Sequence, residues 1–130
     1  MKKEAVLAIQ NLLATPKKIA IIPHRSPDGD AMGSTLALYH FLLKLNHNPV
    51  VISPNEFPNF LAWLPGSETV LIYENDKENC TKILNEAELV FTLDFNALHR
   101  TGEMEQVLNR LSAPMIMIDH HQKPDIYATV

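Results

Sequence analysis

The chain has 130 residues, of which 46% are hydrophobic, and its formal net charge is −4 at pH 7. This length suits one compact domain, and the mildly acidic balance argues against long duplex nucleic acid as a partner. No apolar run reaches the ~18 residues of a membrane span, so no membrane partner is expected. The single Cys80 excludes a disulfide within the chain. Because the N-terminus also lacks the apolar core of a signal peptide, we expect a cytoplasmic protein.

The first third of the chain alternates between helical and strand patterns. Apolar residues at helical spacing predict a helix over 5–13, which Pro16 ends. The apolar run Lys18–Pro23 predicts a buried strand, and a second helix is expected over 30–45. Residues 46–49 contain turn formers that end this helix.

The alternation continues to the end of the chain. Strands are predicted over 50–52, 69–73, Leu89–Leu93 and 114–118, and helices over 57–66, 77–87 and 104–111. The aromatic side chains of 57–66 are expected to pack in the core. This order predicts the α/β class, with a mostly parallel five-stranded sheet flanked by helices.

Acidic residues and histidines follow three of the predicted strands. His24, Asp28 and Asp30 follow the first strand, and Asp94 follows the fourth. The fifth strand is followed by the triplet Asp119, His120 and His121. Each group alone is also typical of a turn, a helix cap or a surface histidine pair. Because the carboxyl ends of parallel strands share one edge of a sheet, we expect the three groups to converge.

Convergence would bring four carboxylates together, which repel one another unless cations are present. A pair of divalent ions offsets this repulsion, and carboxylate and imidazole groups are suitable ligands. Asp94 is the expected bridge between the two ions, because its strand lies between the other two groups in the sequence. Two such ions activate a water molecule and clamp a phosphoryl group.

The segment 24–34 has the form His-x-x-Pro-Asp-x-Asp-Ala-x-Gly-Ser. Together with Asp94 and the Asp119-His120-His121 triplet, it resembles the DHH phosphoesterase family over nearly the whole chain. The form is similar to that of the nano-RNase branch, which comprises bifunctional oligoribonucleases and phosphoadenosine-phosphate phosphatases. The sequence Arg-Thr-Gly at 100–102 also fits this branch.

The resemblance implies a role for each matching residue. One metal would be held by His24, Asp28 and Asp94. The second metal would be held by Asp30, Asp94 and His120. Asp119 would support this second site and, with His121, would be catalytic. His121 would face the substrate phosphate, and Arg100 would bind substrate.

The family metal is Mn²⁺, and the ligand types leave Mg²⁺ and Zn²⁺ open. The expected function is hydrolysis of short oligoribonucleotides, or removal of phosphate from a phosphoadenosine phosphate, by a metal-activated water. Two alternatives stay open. One is a metal- or nucleotide-binding module without turnover. The other is a haloacid-dehalogenase-like phosphatase built on Asp28 and Asp30. A homodimer is left open as the oligomeric state.

The domain expectation is that 1–130 form the N-terminal DHH domain of a longer enzyme. The family carries a further acidic motif downstream of the triplet and a C-terminal DHH-associated domain, and neither occurs between His121 and Val130. We therefore expect a chain that folds but turns over slowly, since remote contacts position a substrate for attack.

Overall fold

The computed structural model describes residues 3–23, 29–56, 63–93 and 104–118. These residues form one all-parallel sheet, which confirms the predicted α/β class. Its strands are β1 (Lys18–Pro23), β2 (Asn48–Ser53), β3 (Leu71–Ile72), β4 (Leu89–Leu93) and β5 (Met115–Ile118). Their spatial order is β3-β2-β1-β4-β5. The central strand β1 is buried from Ile19 to Pro23, as expected for a strand covered on both faces.

Helices cover both faces of this sheet. In the described part of the chain they are α1 (Lys3–Leu12), α2 (Gly29–Lys44), α3 (Lys77–Glu86) and α4 (Met104–Asn109). Side chains of α1 and α2 pack on the face that carries Ile21 of β1. Those of α3 and α4 pack on the opposite face, with Ile22. Successive residues of β1 therefore enter different hydrophobic layers, as strand geometry requires.

The predicted helix over 57–66 is wrong for the part that the structure describes. Residues 57–62 lie outside the described residues, and 63–66 form a turn rather than a helix. Trp63 is 75% exposed, so its side chain is not in the core. Gly66 has a φ of 90°, a left-handed conformation that favours glycine and ends a regular helix. The backbone of this turn is held to α2 by His40, whose Nε2 lies 3.0 Å from the carbonyl oxygen of Pro65.

The third strand is shorter than the predicted 69–73. Only Leu71–Ile72 pair with β2, between 3₁₀ turns at Ser67–Thr69 and Tyr73–Asn75. Thr69 donates its hydroxyl to the carbonyl of Gly66, and the N–H of Val70 donates to the carbonyl of Ser67. Because these hydrogen bonds form within the turn and not with a neighbouring strand, the edge strand stays short.

Among the described helices, none is both long and apolar enough to cross a bilayer.

Candidate metal centre

The carboxyl ends of β1, β4 and β5 lie side by side. Pro23 pairs with Leu93, and Leu93 pairs with Ile118. Neighbouring strands are about 4.8 Å apart, so the three strand ends span roughly 10 Å. The expectation that these ends share one edge of the sheet is confirmed for the backbone. Strands β1, β4 and β5 are the three that the sequence analysis marked by the acidic residues and histidines that follow them.

The strand order also places a topological switch point at this edge, between β1 and β4. The chain passes from β1 outward to β2 and β3, and then returns to place β4 on the other side of β1. After β1 the chain enters α2 on one face, whereas α4 lies on the opposite face and follows β4 in the sequence. Connections that leave adjacent strands toward opposite faces open a crevice between them. In parallel α/β sheets, ligands bind outside the carboxyl ends at such a point.

Of the predicted site residues, Asp30 alone falls within the described part of the chain. It is the second residue of α2, which begins at Gly29 beside the carboxyl end of β1. The others lie outside the described residues: His24, Asp28, Asp94, Arg100, Asp119, His120 and His121. Their clustering therefore stays a prediction. Within 3–23, 29–56, 63–93 and 104–118, no three acidic, histidine or cysteine side chains group closely enough to hold a metal.

Strand order adds a spatial argument for Asp94 that the sequence lacked. Asp94 follows β4 directly, and β4 lies between β1 and β5 in the sheet. We therefore expect a residue that follows the middle strand to reach the groups that follow both outer strands. This position suits a carboxylate shared by two ions.

The chain near this edge has the chemistry that a divalent-metal site needs. The residues that follow β1, β4 and β5 in the sequence are carboxylates and imidazoles, the ligand types of Mn²⁺, Mg²⁺ and Zn²⁺. The α2 helix begins at the same edge. The first N–H groups of a helix have no acceptor within the helix, and the helix dipole there favours negative charge such as a carboxylate or a phosphate. The donor set and the fold therefore fit a metal-assisted phosphate site.

Buried hydroxyls also lie toward this edge. Ser53 is the last residue of β2, and its Oγ donates to the carbonyl of Asn55. Thr92 lies one residue before the end of β4, and Thr35 lies in the second turn of α2. All three are fully buried. Sequence reasoning missed them, because a lone Ser or Thr in a strand or helix carries no signal of its burial.

The opposite, amino edge of the sheet has different chemistry. A cavity of about 250 Å³ lies there between α3 and the first residues of β1 and β2. Its walls are mostly apolar and include Ile19, Val50 and Ile83. Glu86 is the one acidic residue in its lining, and no histidine or cysteine lines it, so this cavity is not the metal centre.

Cys80 is a packing residue of α3. It is a free thiol with no exposed surface, in the cluster that joins α3 to the sheet. Burial raises the pKa of the Cys80 thiol, and the nearby Asp76 carboxylate raises it further. Both effects disfavour the nucleophilic thiolate. The thiol is therefore not a candidate nucleophile.

The chain belongs to the DHH family: residues 18–130 match the family's N-terminal domain. This agrees with the parallel sheet and with the strand ends described above.

Two relatives support this assignment. The chain is 28% identical over 125 residues to the bifunctional oligoribonuclease and PAP phosphatase NrnA of Mycoplasma genitalium, covering 96% of this chain and 37% of that protein. An exopolyphosphatase-related protein from Bacteroides fragilis has a solved structure that superimposes with a TM-score of 0.97 at 40% identity. That superposition covers 99% of this chain and 38% of the other. The chain thus spans well under half the length of both proteins.

Proposed function

We propose that this chain is the metal-binding domain of a phosphoesterase that hydrolyses short oligoribonucleotides or a phosphoadenosine phosphate. The observation that carries the proposal is the alignment of Pro23, Leu93 and Ile118 at one edge of the sheet. Each of these three strand ends is followed, directly or within a few residues, by an acidic residue or a histidine. Membership of the DHH family and the likeness to an oligoribonuclease and PAP phosphatase support the reaction class.

In this proposal the site residues hold two divalent ions, with Mn²⁺ as the expected metal. The first ion is assigned to His24, Asp28 and Asp94. The second ion is assigned to Asp30, Asp94 and His120. Such ions, when bound, lower the pKa of a water and neutralise charge on the phosphoryl oxygens.

The remaining residues act on the substrate and on the ligands. Asp119 orients the imidazole of His120 by accepting a hydrogen bond, which fixes the tautomer that can bind a metal. His121 donates a hydrogen bond to the phosphate, and Arg100 pairs with it as a fixed positive charge. The N–H groups of the first turn of α2 offer further donors to a phosphate oxygen. These groups favour the extra negative charge of a phosphoryl transition state.

A substrate with few phosphates suits the described surface. The net charge is −4 at pH 7, which does not favour binding of a long polyanion. Local cations and the metals can instead hold one or two phosphates. We therefore propose a short oligonucleotide or a mononucleotide carrying an extra phosphate, processed in the cytoplasm.

The haloacid-dehalogenase alternative is disfavoured by the structure. That class needs its nucleophilic Asp directly after a strand. Here β1 ends at Pro23 and Asp28 follows only after several further residues. A metal- or nucleotide-binding module without turnover is the second candidate, because the assigned ligands alone can bind a metal whether or not a reaction follows.

The test is turnover of a dinucleotide and of 3′-phosphoadenosine 5′-phosphate by the purified chain with Mn²⁺, with chelator as a blank. Asp94→Asn should abolish any activity. Asp76→Asn is the matched control, because Asp76 follows β3 at the far side of the same sheet. Mn²⁺ binding without turnover in the wild-type chain would favour the binding module. The proposal would be contradicted if the wild-type chain showed no metal binding and no turnover.

A further inference from the structure

Trp63 is a large aromatic side chain that the fold leaves in solvent. It is the one tryptophan of the chain, and it is more exposed than any other large hydrophobic residue in the described part. The next residue, Leu64, packs against the hydrophobic layer beneath α2. The turn is therefore packed against the protein, whereas the indole ring is in water. Tryptophan is highly buried on average, so this exposure needs an explanation.

The backbone that carries Trp63 is fixed to α2. Nε2 of His40 donates to the carbonyl oxygen of Pro65 at 3.0 Å. Gly66 lies so close to α2 that a Cβ there would be 3.1 Å from Nε2 of His40 and 3.5 Å from Cδ2 of Leu36. A flat ligand that stacks on a side chain with a fixed backbone loses less binding energy to ordering than it would on a free segment.

The helix also gives the distance from this turn to the candidate metal centre. The turn lies against Leu36 and His40, which are seven and eleven residues from the start of α2 at Gly29. At about 1.5 Å per residue, these positions are roughly 10 and 16 Å along the axis from the carboxyl edge. Trp63 precedes Pro65 by two residues, so about 7 Å at most separates their backbones. A stacked single strand advances about 3.4 Å per nucleotide, so 10–16 Å equals about three to five nucleotides.

An exposed aromatic ring at this distance suits a nucleotide substrate. Bases stack on aromatic side chains, and any base can do so because each has a π-face. The net charge of −4 offers little general attraction for a phosphate backbone. Stacking would therefore supply affinity that the phosphates away from the metals do not.

We propose that Trp63 stacks on a base of an oligoribonucleotide of about three to five nucleotides whose scissile phosphate lies at the carboxyl edge. This inference rests on the proposed function and deepens it, because it names the substrate that the site prefers. Trp63 is then a specificity-determining residue. It favours these oligonucleotides over a dinucleotide or a phosphoadenosine phosphate, which are too short to reach the ring.

The experiment uses the fluorescence of Trp63, which no other tryptophan obscures. The wild-type chain with Mn²⁺ is titrated with oligoadenylates from the dinucleotide to the pentanucleotide, made with phosphorothioate linkages that resist hydrolysis. We expect the pentanucleotide to quench the emission and the dinucleotide to bind without quenching. An abasic strand of the same length as the pentanucleotide should not quench, because it has phosphates but no bases.

Three variants separate stacking from other contributions. Trp63→Ala should weaken binding of the pentanucleotide about 5- to 100-fold, and it should leave dinucleotide binding and the thermal midpoint unchanged. Trp63→Phe should recover much of the affinity, because phenylalanine keeps a ring. Phe41→Ala is the matched control, since Phe41 is also an exposed aromatic residue but lies on α2 itself, and it should bind every length as the wild type does.

Several results would overturn the inference while the metal centre stays in place. One is equal binding of every length by Trp63→Ala and the wild type, and another is an equal loss at every length, the dinucleotide included. A third is emission that follows protein concentration and not oligonucleotide, which would make Trp63 a contact between copies of the chain. Mn²⁺ binding without oligonucleotide binding would overturn this inference alone. Absence of both in the wild-type chain would overturn the proposed function as well.

Discussion

The two edges of the sheet treat their polar groups differently. At the amino edge, the chain closes hydrogen bonds within itself. The N–H of Lys17 donates to Nδ1 of His47 at 3.1 Å, and the N–H of Lys18 donates to Oε1 of Glu88 at 2.9 Å. The N–H of Asn48 donates in turn to the carbonyl of Lys17 at 2.9 Å. These bonds fasten the starts of β1, β2 and β4 to one another.

At the carboxyl edge, the register brings three strand ends together and the sequence then supplies acidic residues and histidines. In the proposed site these carboxylates would repel one another unless cations are present. At the amino edge, by contrast, the N–H groups of Lys17 and Lys18 have acceptors within the chain, although Nε2 of His47 is buried without a partner among the described residues. We therefore expect the amino edge to stabilise the fold and the carboxyl edge to bind a charged ligand. A substitution at the carboxyl edge should change metal binding and leave the free energy of unfolding unchanged. A substitution at the amino edge should change the free energy of unfolding and leave metal binding unchanged.

The largest expected effect is that of Asp94→Asn. Because Asp94 is the proposed bridge, both Mn²⁺ binding events should weaken together, by more than the about 100-fold seen for residues that only support a ligand. His24→Ala should weaken mainly one event. Calorimetric titration with Mn²⁺ separates the two. Two binding events of native affinity in Asp94→Asn would contradict the bridging role.

A second prediction divides the roles of the two adjacent histidines. Neighbouring residues in an extended chain point to opposite sides, so His120 and His121 should not both bind the same metal. His120→Ala should lower Mn²⁺ affinity. His121→Ala should spare metal binding and lower turnover in an enzyme with measurable activity. The assignment would be wrong if both variants lost bound metal equally.

The third prediction concerns the amino edge. His47 is 3% exposed, and because its Nδ1 accepts a hydrogen bond, its proton lies on Nε2. His47→Ala leaves the N–H of Lys17 without this acceptor and should lower the free energy of unfolding by about 1–3 kcal/mol. Mn²⁺ affinity should not change. Denaturant unfolding and calorimetry on one sample measure both quantities.

His47→Asn provides the control for this variant. An Asn side chain offers a carbonyl oxygen near the position of Nδ1, so part of the lost stability should return. Equal destabilisation by Ala and Asn would show that packing, rather than the hydrogen bond to Lys17, gives His47 its importance.

The smallest expected effect is at Asn46, which ends α2 with a φ of 66°. This left-handed conformation suits Asn and Gly and costs other residues about 1–2 kcal/mol. Asn46→Ala should therefore lower the unfolding free energy by about 1 kcal/mol. Asn46→Gly should be close to neutral. A neutral Asn46→Ala would show that the turn relaxes into another conformation.

Much of this fold follows from local sequence patterns. The predicted bounds of β1 and β4 are the same as the observed ones. A short, continuous apolar stretch bounded by polar residues is typical of a buried parallel strand. The stretch around Trp63 was interpreted wrongly, since aromatic content does not reveal whether a side chain faces the core or solvent. The third strand was shortened by turns whose side-chain hydrogen bonds leave no clear pattern in the sequence.

The candidate site shows the same division. The sequence alone predicts which residues bear the chemistry, because His24, Asp28, Asp30, Asp94 and the triplet at 119–121 follow three strands and together resemble the motifs of one family. Tertiary structure alone decided that β4 lies between β1 and β5, and that Thr35 is buried with no hydrogen-bond partner for its hydroxyl among the described residues. Strand order depends on how connections cross the sheet, and burial depends on what packs against a helix from distant parts of the chain. Neither property is encoded within a short stretch of residues.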